Sequence, residues 1–341
     1  MQKTLEYPFI VNKNAIALYE QKLKNYFNAK YCVAVSSGTA AVIVALKAIE
    51  ISTKSDVIIP PTAPLCTAFP VLSTGSRLIF ADIQEDNLGF DIDSLSKIIS
   101  SRTGAIIEVP MWGYPTKVDN LQNFAKANKI PLIFDLAQCS GSKFHGKSLS
   151  EYCNIACFST QKNKMFSTGE GGFILTDDEE YYKKSLIYSR IGELNGKDFG
   201  LNFKLSPILA EIGINAFHHL DDSLLLRKNN RDKIITGLTH TNIVELEIPQ
   251  HSCPNYHRLI LRTKNGNTKL ASHLAAYGIP TDMEKYNIKP LYNYDILTSY
   301  KVYCPNAEKF LETAITIEVH QEYSKSDIQF IIDVLNKFPY N

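Results

Sequence analysis

Long apolar runs are missing from this chain of 341 residues. No uninterrupted stretch approaches the ~20 residues a membrane-spanning helix needs, and no opening segment joins a basic start to an apolar core and a small-residue cleavage site. A cytosolic protein is the expectation. Cysteine is sparse: seven residues, an odd number without Cys-x-x-Cys spacing, which favours reduced thiols over a disulfide framework. Cys153 and Cys157 are the nearest pair, and with no histidine cluster beside them no metal site is expected. An excess of one charge is also absent. Lys plus Arg at 36 nearly cancels Asp plus Glu at 35, which gives no reason to expect nucleic acid or an anionic membrane as partner. A nucleotide-bearing substrate would need only a local basic cluster. Tryptophan occurs once, at Trp112, on a loop where pocket wall and core packing are equally open readings.

No internal repeat, low-complexity run or flexible linker interrupts the chain. With 45% hydrophobic and 21% charged residues it can bury one large core and a smaller one. Strand-like runs at Val57-Ile58-Ile59, Arg77-Leu78-Ile79-Phe80, Ala105-Ile106-Ile107-Glu108-Val109 and Leu132-Ile133-Phe134 alternate with helical stretches, the pattern of an α/β fold with a mostly parallel sheet. A large domain is expected over residues 1–225 and a small α+β domain over 226–341. Helical spacing from Pro207 predicts a long connection to about Asn230. His218 and His219 fall within it, and successive helical residues point about 100° apart, so the pair is poorly placed to share a metal. In the small domain a strand is predicted at residues 256–262, with helices at 268–277 and 326–337. His320 follows an apolar strand and reads first as a packing residue, with an approach to the active site as the alternative.

What the chain does contain is a lysine, an acid and a phosphate turn in one order. Lys164 lies in Ser159-Thr160-Gln161-Lys162-Asn163-Lys164-Met165-Phe166-Ser167-Thr168-Gly169-Glu170-Gly171-Gly172. Upstream, the apolar strand Ile130-Pro131-Leu132-Ile133-Phe134 ends in Asp135, followed by Leu136-Ala137-Gln138. Pyridoxal phosphate (PLP) chemistry needs such a pair: an amine that condenses with the cofactor aldehyde, and a buried carboxylate that keeps the pyridine nitrogen protonated so that the ring can accept electrons. The third part is Ser36-Ser37-Gly38-Thr39-Ala40-Ala41, where a short strand gives way to a helix. Unpaired amides and the positive dipole end at a helix N-terminus attract an anion. Gly38 lets the backbone approach a phosphate, and the Thr39 hydroxyl can donate to it.

On these residues the chain resembles the DegT/StrS group of sugar aminotransferases, fold-type I PLP enzymes. The resemblance runs from the helix containing Glu20 to Ile317-Glu318-Val319-His320 and the helix after it. It is strongest in Ser-Gly-Thr-Ala-Ala, Asp-Leu-Ala-Gln, Lys-x-x-Ser-Thr-Gly-Glu-Gly-Gly and Gly200-Leu201-Asn202-Phe203-Lys204-Leu205-Ser206. It implies a mostly parallel seven-stranded-type sheet in the large domain, Lys164 as the lysine that holds PLP, and Asp135 as partner of the pyridine nitrogen. Gln138 would lie near the phenolic oxygen, while Gly38, Thr39 and Ser159 bind the phosphate. Asn202 corresponds to an asparagine that reaches the phosphate from the neighbouring subunit, which implies a homodimer with shared active sites. The implied reaction moves an amino group, with glutamate as the expected donor, to a nucleotide-linked keto sugar.

Several positions depart from the group's pattern. Ala63-Pro64 stands where a Thr-aromatic pair is usual, so Pro64 supplies no aromatic ring to stack on the cofactor. Lys204 replaces an arginine, which is not an equivalent exchange where a planar fork is needed. Leu209 replaces a common glutamine, and the chain begins without most of the N-terminal arm. Ordinary structural readings also exist: Lys164 as a turn lysine or Lys162 as the reactive one, Asp135 as a cap, Gln138 as a packing amide, Ser159 as a turn hydroxyl and Asn202 as a loop residue. A PLP-dependent sugar dehydratase and a non-catalytic binding or regulatory homologue are the competing functions. Lys164 argues against the first, because dehydratases of this group tend to carry histidine there.

Overall fold

The computed structural model describes residues 12, 14–264 and 266–339. The expectation about the N-terminal arm falls outside these residues.

The first part of the chain supplies β1 (Tyr31–Val35), β2 (Asp56–Ile59), β3 (Arg77–Phe80), β4 (Thr103–Glu108), β5 (Leu132–Asp135), β6 (Lys143–Phe144), β7 (Lys147–Ser148), β8 (Ile155–Ser159) and β9 (Gly172–Thr176). Seven of them form one sheet in the order β1-β9-β8-β5-β4-β2-β3. Pairing is parallel from β3 through β2, β4 and β5 to β8, and antiparallel where β9 joins β8 and β1. Runs such as Asp56–Ile59 and Leu132–Asp135 are buried at every position, as parallel strands covered on both faces require.

Alternation along each strand sends side chains to opposite faces. Ile133, Val57 and Ile59 join one apolar cluster, while Leu132, Phe134 and Ile58 join the other. Helix α1 (Ala15–Tyr26) contributes Tyr19 and Leu23 to the second cluster, whereas α2 (Gly38–Ala48) and α3 (Leu65–Ser73) pack into the first.

The later chain forms a second antiparallel sheet in the order β10-β12-β13, from β10 (Ile243–Glu245), β12 (Leu259–Thr263) and β13 (Ala314–Ile317). Its Leu259, Leu261 and Ile315 belong to the same apolar cluster as β2 and α2. The short strand β11 (Ser252–Cys253) pairs with β6 and so ties this later segment to the loop after β5.

Two predicted elements differ. The long helical connection is two helices, Pro207–Phe217 and Leu220–Gly237. At the join, the amides of His218 and His219 bond back three residues, to the carbonyls of Asn215 and Ala216, which tightens and ends the first helix. Asp221 and Asp222 then sit in the first turn of the second helix, where its dipole favours acids. The strand predicted from residue 256 starts at Leu259, because Tyr256 has a φ of 52° and cannot continue an extended chain.

Candidate active site

The ends of the parallel strands converge on one crest. β2 leads through Pro60 to α3, β4 leads to Met111 and Trp112, β5 ends at Asp135, and β8 ends at Ser159. Such an edge is where open α/β sheets bind ligands. Here it opens on a cavity of about 460 Å³ whose lining includes Pro64, Trp112, Gln138, Lys164, His257 and Arg258.

Lys164 sits on the connection between β8 and β9. That connection is held by backbone bonds from Thr160 to Gly171, Lys162 to Gly169 and Thr168 to Thr160, and the Lys164 amide donates to the Gln161 carbonyl at 2.9 Å. The paired hydroxyls of Thr160 and Thr168, 2.7 Å apart, brace the base of the loop. Lys164 is half-buried and lines the cavity, whereas Lys162 is exposed and does not. Burial pushes the Lys164 amine below its usual range and the Arg258 cation adds to this, against the opposing influence of Cys66 and Asp135. A lysine so placed has a larger neutral, nucleophilic fraction.

Asp135 is buried at the end of β5. The Thr67 hydroxyl donates to its carboxylate at 2.6 Å and the Ala137 amide at 3.1 Å. Burial pushes its carboxyl up, opposed by Thr67, Ala137 and the charge of Lys164. A cation set against this carboxylate would hold it ionised. The Gln138 side-chain oxygen accepts the Trp112 amide at 2.6 Å, and its carbonyl accepts from Asn255 at 2.9 Å.

At the start of α2, the Ser37 hydroxyl caps the Ala40 amide at 3.0 Å. Among the described residues no hydrogen bond is made to the amides of Gly38 and Thr39. Gly38 packs so closely on Ser159 that a Cβ would lie 2.7 Å from the serine Cβ. The two residues therefore meet, and the positive end of α2 keeps free donors beside the end of β8, a cradle suited to a phosphate. Lys164, Asp135 and the Gly38, Thr39 and Ser159 turn together suit PLP: an amine, an acid and an anion cradle on one crest.

Among the described residues Asn202 makes no hydrogen bond to this group. It is exposed, and among the described residues its side-chain oxygen accepts only from the Lys204 amide, at 3.5 Å. Lys204 bridges to Val35, and the Phe203 carbonyl accepts from Ser36, so the Asn202 loop runs beside the end of β1. His218 and His219 are exposed, and among the described residues no group of three metal-ligating side chains occurs. His320 is half-buried outside the cavity lining, its carbonyl bonded by Asn230. Trp112 answers to both of its readings, since it is fully buried in the core and also lines the cavity.

Thr67, His257, Arg258 and Asp282 were not singled out by sequence. Thr67 follows Pro64 by three residues, one helical turn, and could have been paired with Asp135. The sequence signal for His257-Arg258 is faint: two polar residues side by side at the head of an apolar run.

The model of the DegT/DnrJ/EryC1/StrS aminotransferase family matches residues 1–336. GDP-perosamine synthase of Escherichia coli O157:H7 is 26% identical over 95% of this chain and 90% of that protein. A Pseudomonas aeruginosa UDP-2-acetamido-2-deoxy-3-oxo-D-glucuronate aminotransferase is 25% identical over 98% of this chain and 94% of its own length. Among solved structures, the PLP form of the putative sugar aminotransferase Spr1654 from Streptococcus pneumoniae superposes with a TM-score of 0.89 at 24% identity, over 98% of this chain and 93% of that one. Among the described residues no helix is long and apolar enough to cross a membrane. The chain belongs to the DegT/DnrJ/EryC1/StrS family and is a PLP-dependent aminotransferase of fold type I.

Proposed function

We propose that this enzyme transfers the amino group of glutamate to the ketone of a nucleotide-linked sugar. The observation that carries the reading is the cavity itself. A half-buried lysine lines it, and its wall adds the rings of Tyr286 and Tyr294 and the ammonium of Lys289, which stands 4.8 Å over the Tyr294 ring. Aromatic faces and a cation suit a nucleobase and its phosphates better than they suit an amino acid alone. The nucleotide sugars in the names of the two relatives support the same reading.

PLP supplies an aldehyde that takes up amines and a ring that stores electrons. Lys164 would hold that aldehyde and, once freed by the donor amine, would serve as the general base and acid at the donor's α-carbon. Asp135, fixed by Thr67, would keep the pyridine nitrogen protonated. The Gly38 and Thr39 amides and the Ser159 hydroxyl would bind the phosphate, and Gln138 would lie near the phenolic oxygen. Asn202 of a second copy completes each site in a homodimer. Residues 1–225 form the cofactor-binding domain and 226–341 the small domain, with the helix Leu220–Gly237 crossing between them.

Glutamate should bleach the cofactor's visible absorbance, and nucleotide-linked keto sugars should restore it with formation of an amino sugar. Lys164→Ala should abolish the band and turnover, while Lys162→Ala should retain both. A borohydride-reducible cofactor adduct that survives in Lys164→Ala would overturn the lysine's role. Failure of every keto sugar to restore the band would overturn the acceptor.

A further inference from the structure

Arg258 faces the same cavity as Lys164 without a part in the reaction as derived above. Its side chain is only 12% exposed. Nε donates to Asp282 at 3.2 Å, and Nη1 donates to the His257 carbonyl at 2.9 Å and to Glu318 at 3.2 Å. Trp112 fixes the assembly from the other side. Its indole N–H donates to Asp282 at 3.1 Å, and its carbonyl accepts the Arg258 amide at 3.1 Å. Two bulky residues hold positive φ to make this join, Trp112 at 58° and Tyr256 at 52°. Strain of that kind persists where the surrounding structure over-determines it, and it gathers at ligand sites.

One nitrogen of the guanidinium, Nη2, makes no hydrogen bond among the described residues. An arginine fixed at Nε and Nη1 presents the two N–H groups of Nη2 as pre-oriented, charge-assisted donors to an anion. Beside it, His257 is 4% exposed, lines the cavity and has an Nδ1 without a partner. That atom is itself enclosed, so His257 shapes the cavity wall beside Arg258. Burial first, then the charges of Lys164, Arg258 and Arg227, hold the His257 imidazole neutral.

We propose that Arg258, with His257 beside it, is the carboxylate-binding group of this cavity and selects the reactant that carries that carboxylate. The proposal rests on the cavity being the aminotransferase site, but not on the identity of the acceptor. Two reactants can bring a carboxylate there, the amino-acid donor or an acceptor whose sugar is a uronate.

Glutarate, a dicarboxylate without an amine, separates binding from chemistry. Calorimetric titration of the cofactor-loaded enzyme should show saturable binding that Arg258→Met weakens by about ten- to hundredfold, the size of a lost charge-assisted contact. Arg258→Lys should recover only part of it, and it serves as the readout if Arg258→Met does not fold, with several-fold weakening expected. Two kinetic arms then locate the source. A higher glutamate requirement for bleaching, with the KM of a neutral keto sugar unchanged, assigns the donor carboxylate. A loss confined to uronate acceptors assigns the sugar carboxylate. Either supports the site. The proposal is overturned if wild type binds no glutarate, or if a folded variant that retains the cofactor band matches wild type within about twofold in glutarate binding and in both arms. If no keto sugar is aminated while the glutarate and glutamate effects stand, the acceptor reading alone has failed.

Discussion

Glu108 closes β4 with no exposed surface. The Thr116 hydroxyl donates to one carboxyl oxygen at 2.7 Å, and the other oxygen has no partner. Burial pushes the carboxyl up to about 8, against the weaker pull of Thr116 and the Phe90 backbone. The folded protein therefore keeps a proton that the unfolded chain, near the ordinary glutamate value of 4.5, has released. Its contribution to stability is complete below that ordinary value and is lost as pH rises through the folded one. Denaturant unfolding at pH 6 and pH 8 tests this. Wild type should lose roughly 2 kcal/mol relative to Glu108→Gln across that interval, at about 1.4 kcal/mol per unit. A difference that does not change with pH would mean that Glu108 is ionised in the fold.

At the scale of elements, the site depends on how closely α2 meets β8. Alanine is a better helix former than glycine by up to ~1 kcal/mol, so propensity alone makes Gly38→Ala stabilising. The close approach predicts the reverse, because the new Cβ would lie 2.7 Å from the Ser159 Cβ and 3.3 Å from its Cα. Neither atom is the free end of a flexible side chain. Relieving the clash moves the helix start away from the strand, at a cost of about 1–3 kcal/mol. Gly38→Ala should melt at lower temperature and lose more cofactor on dialysis than wild type. A higher melting temperature with cofactor fully retained would show that the helix start yields freely.

At the scale of the whole molecule, the helix start at Gly38 lies near the loop that carries Asn202, whose Phe203 carbonyl accepts from Ser36. Asn202 is exposed, and nearby on the chain Leu194, Phe199 and Leu201 are exposed apolar residues, as are Ile208 and Ile212 on the following helix. Exposed apolar surface of that kind commonly marks a protein interface. If Asn202 serves a neighbouring copy, two separately inactive chains should repair each other. A heterodimer of Lys164→Ala with a severe Asn202 substitution contains one site with both defects and one with neither. Mixed dimers, verified by tag-based purification after subunit exchange, should recover up to about half the activity of a wild-type dimer. Verified heterodimers without activity would confine Asn202 to its own chain.

The sequence by itself determined the α/β order of the first 180 residues. Buried parallel strands such as Ile58 and Ile133 leave continuous β-branched runs that local composition reveals. It also carried the lysine loop, the acid at the end of β5 and the helix start at Gly38, since each combines a local turn or cap with a residue type whose chemistry is specific. The join at His218–His219 and the late start of β12 were illegible, because apolar spacing does not register where a helix tightens or a residue such as Tyr256 takes a left-handed φ. Tertiary structure alone decided the walls of the cavity. Arg258 comes to line the same cavity as Lys164 because the segment after β11 folds back onto Trp112 and Gln138. Contacts made between residues about a hundred positions apart leave no period and no local composition to read, and packing of the whole chain is what brings them together.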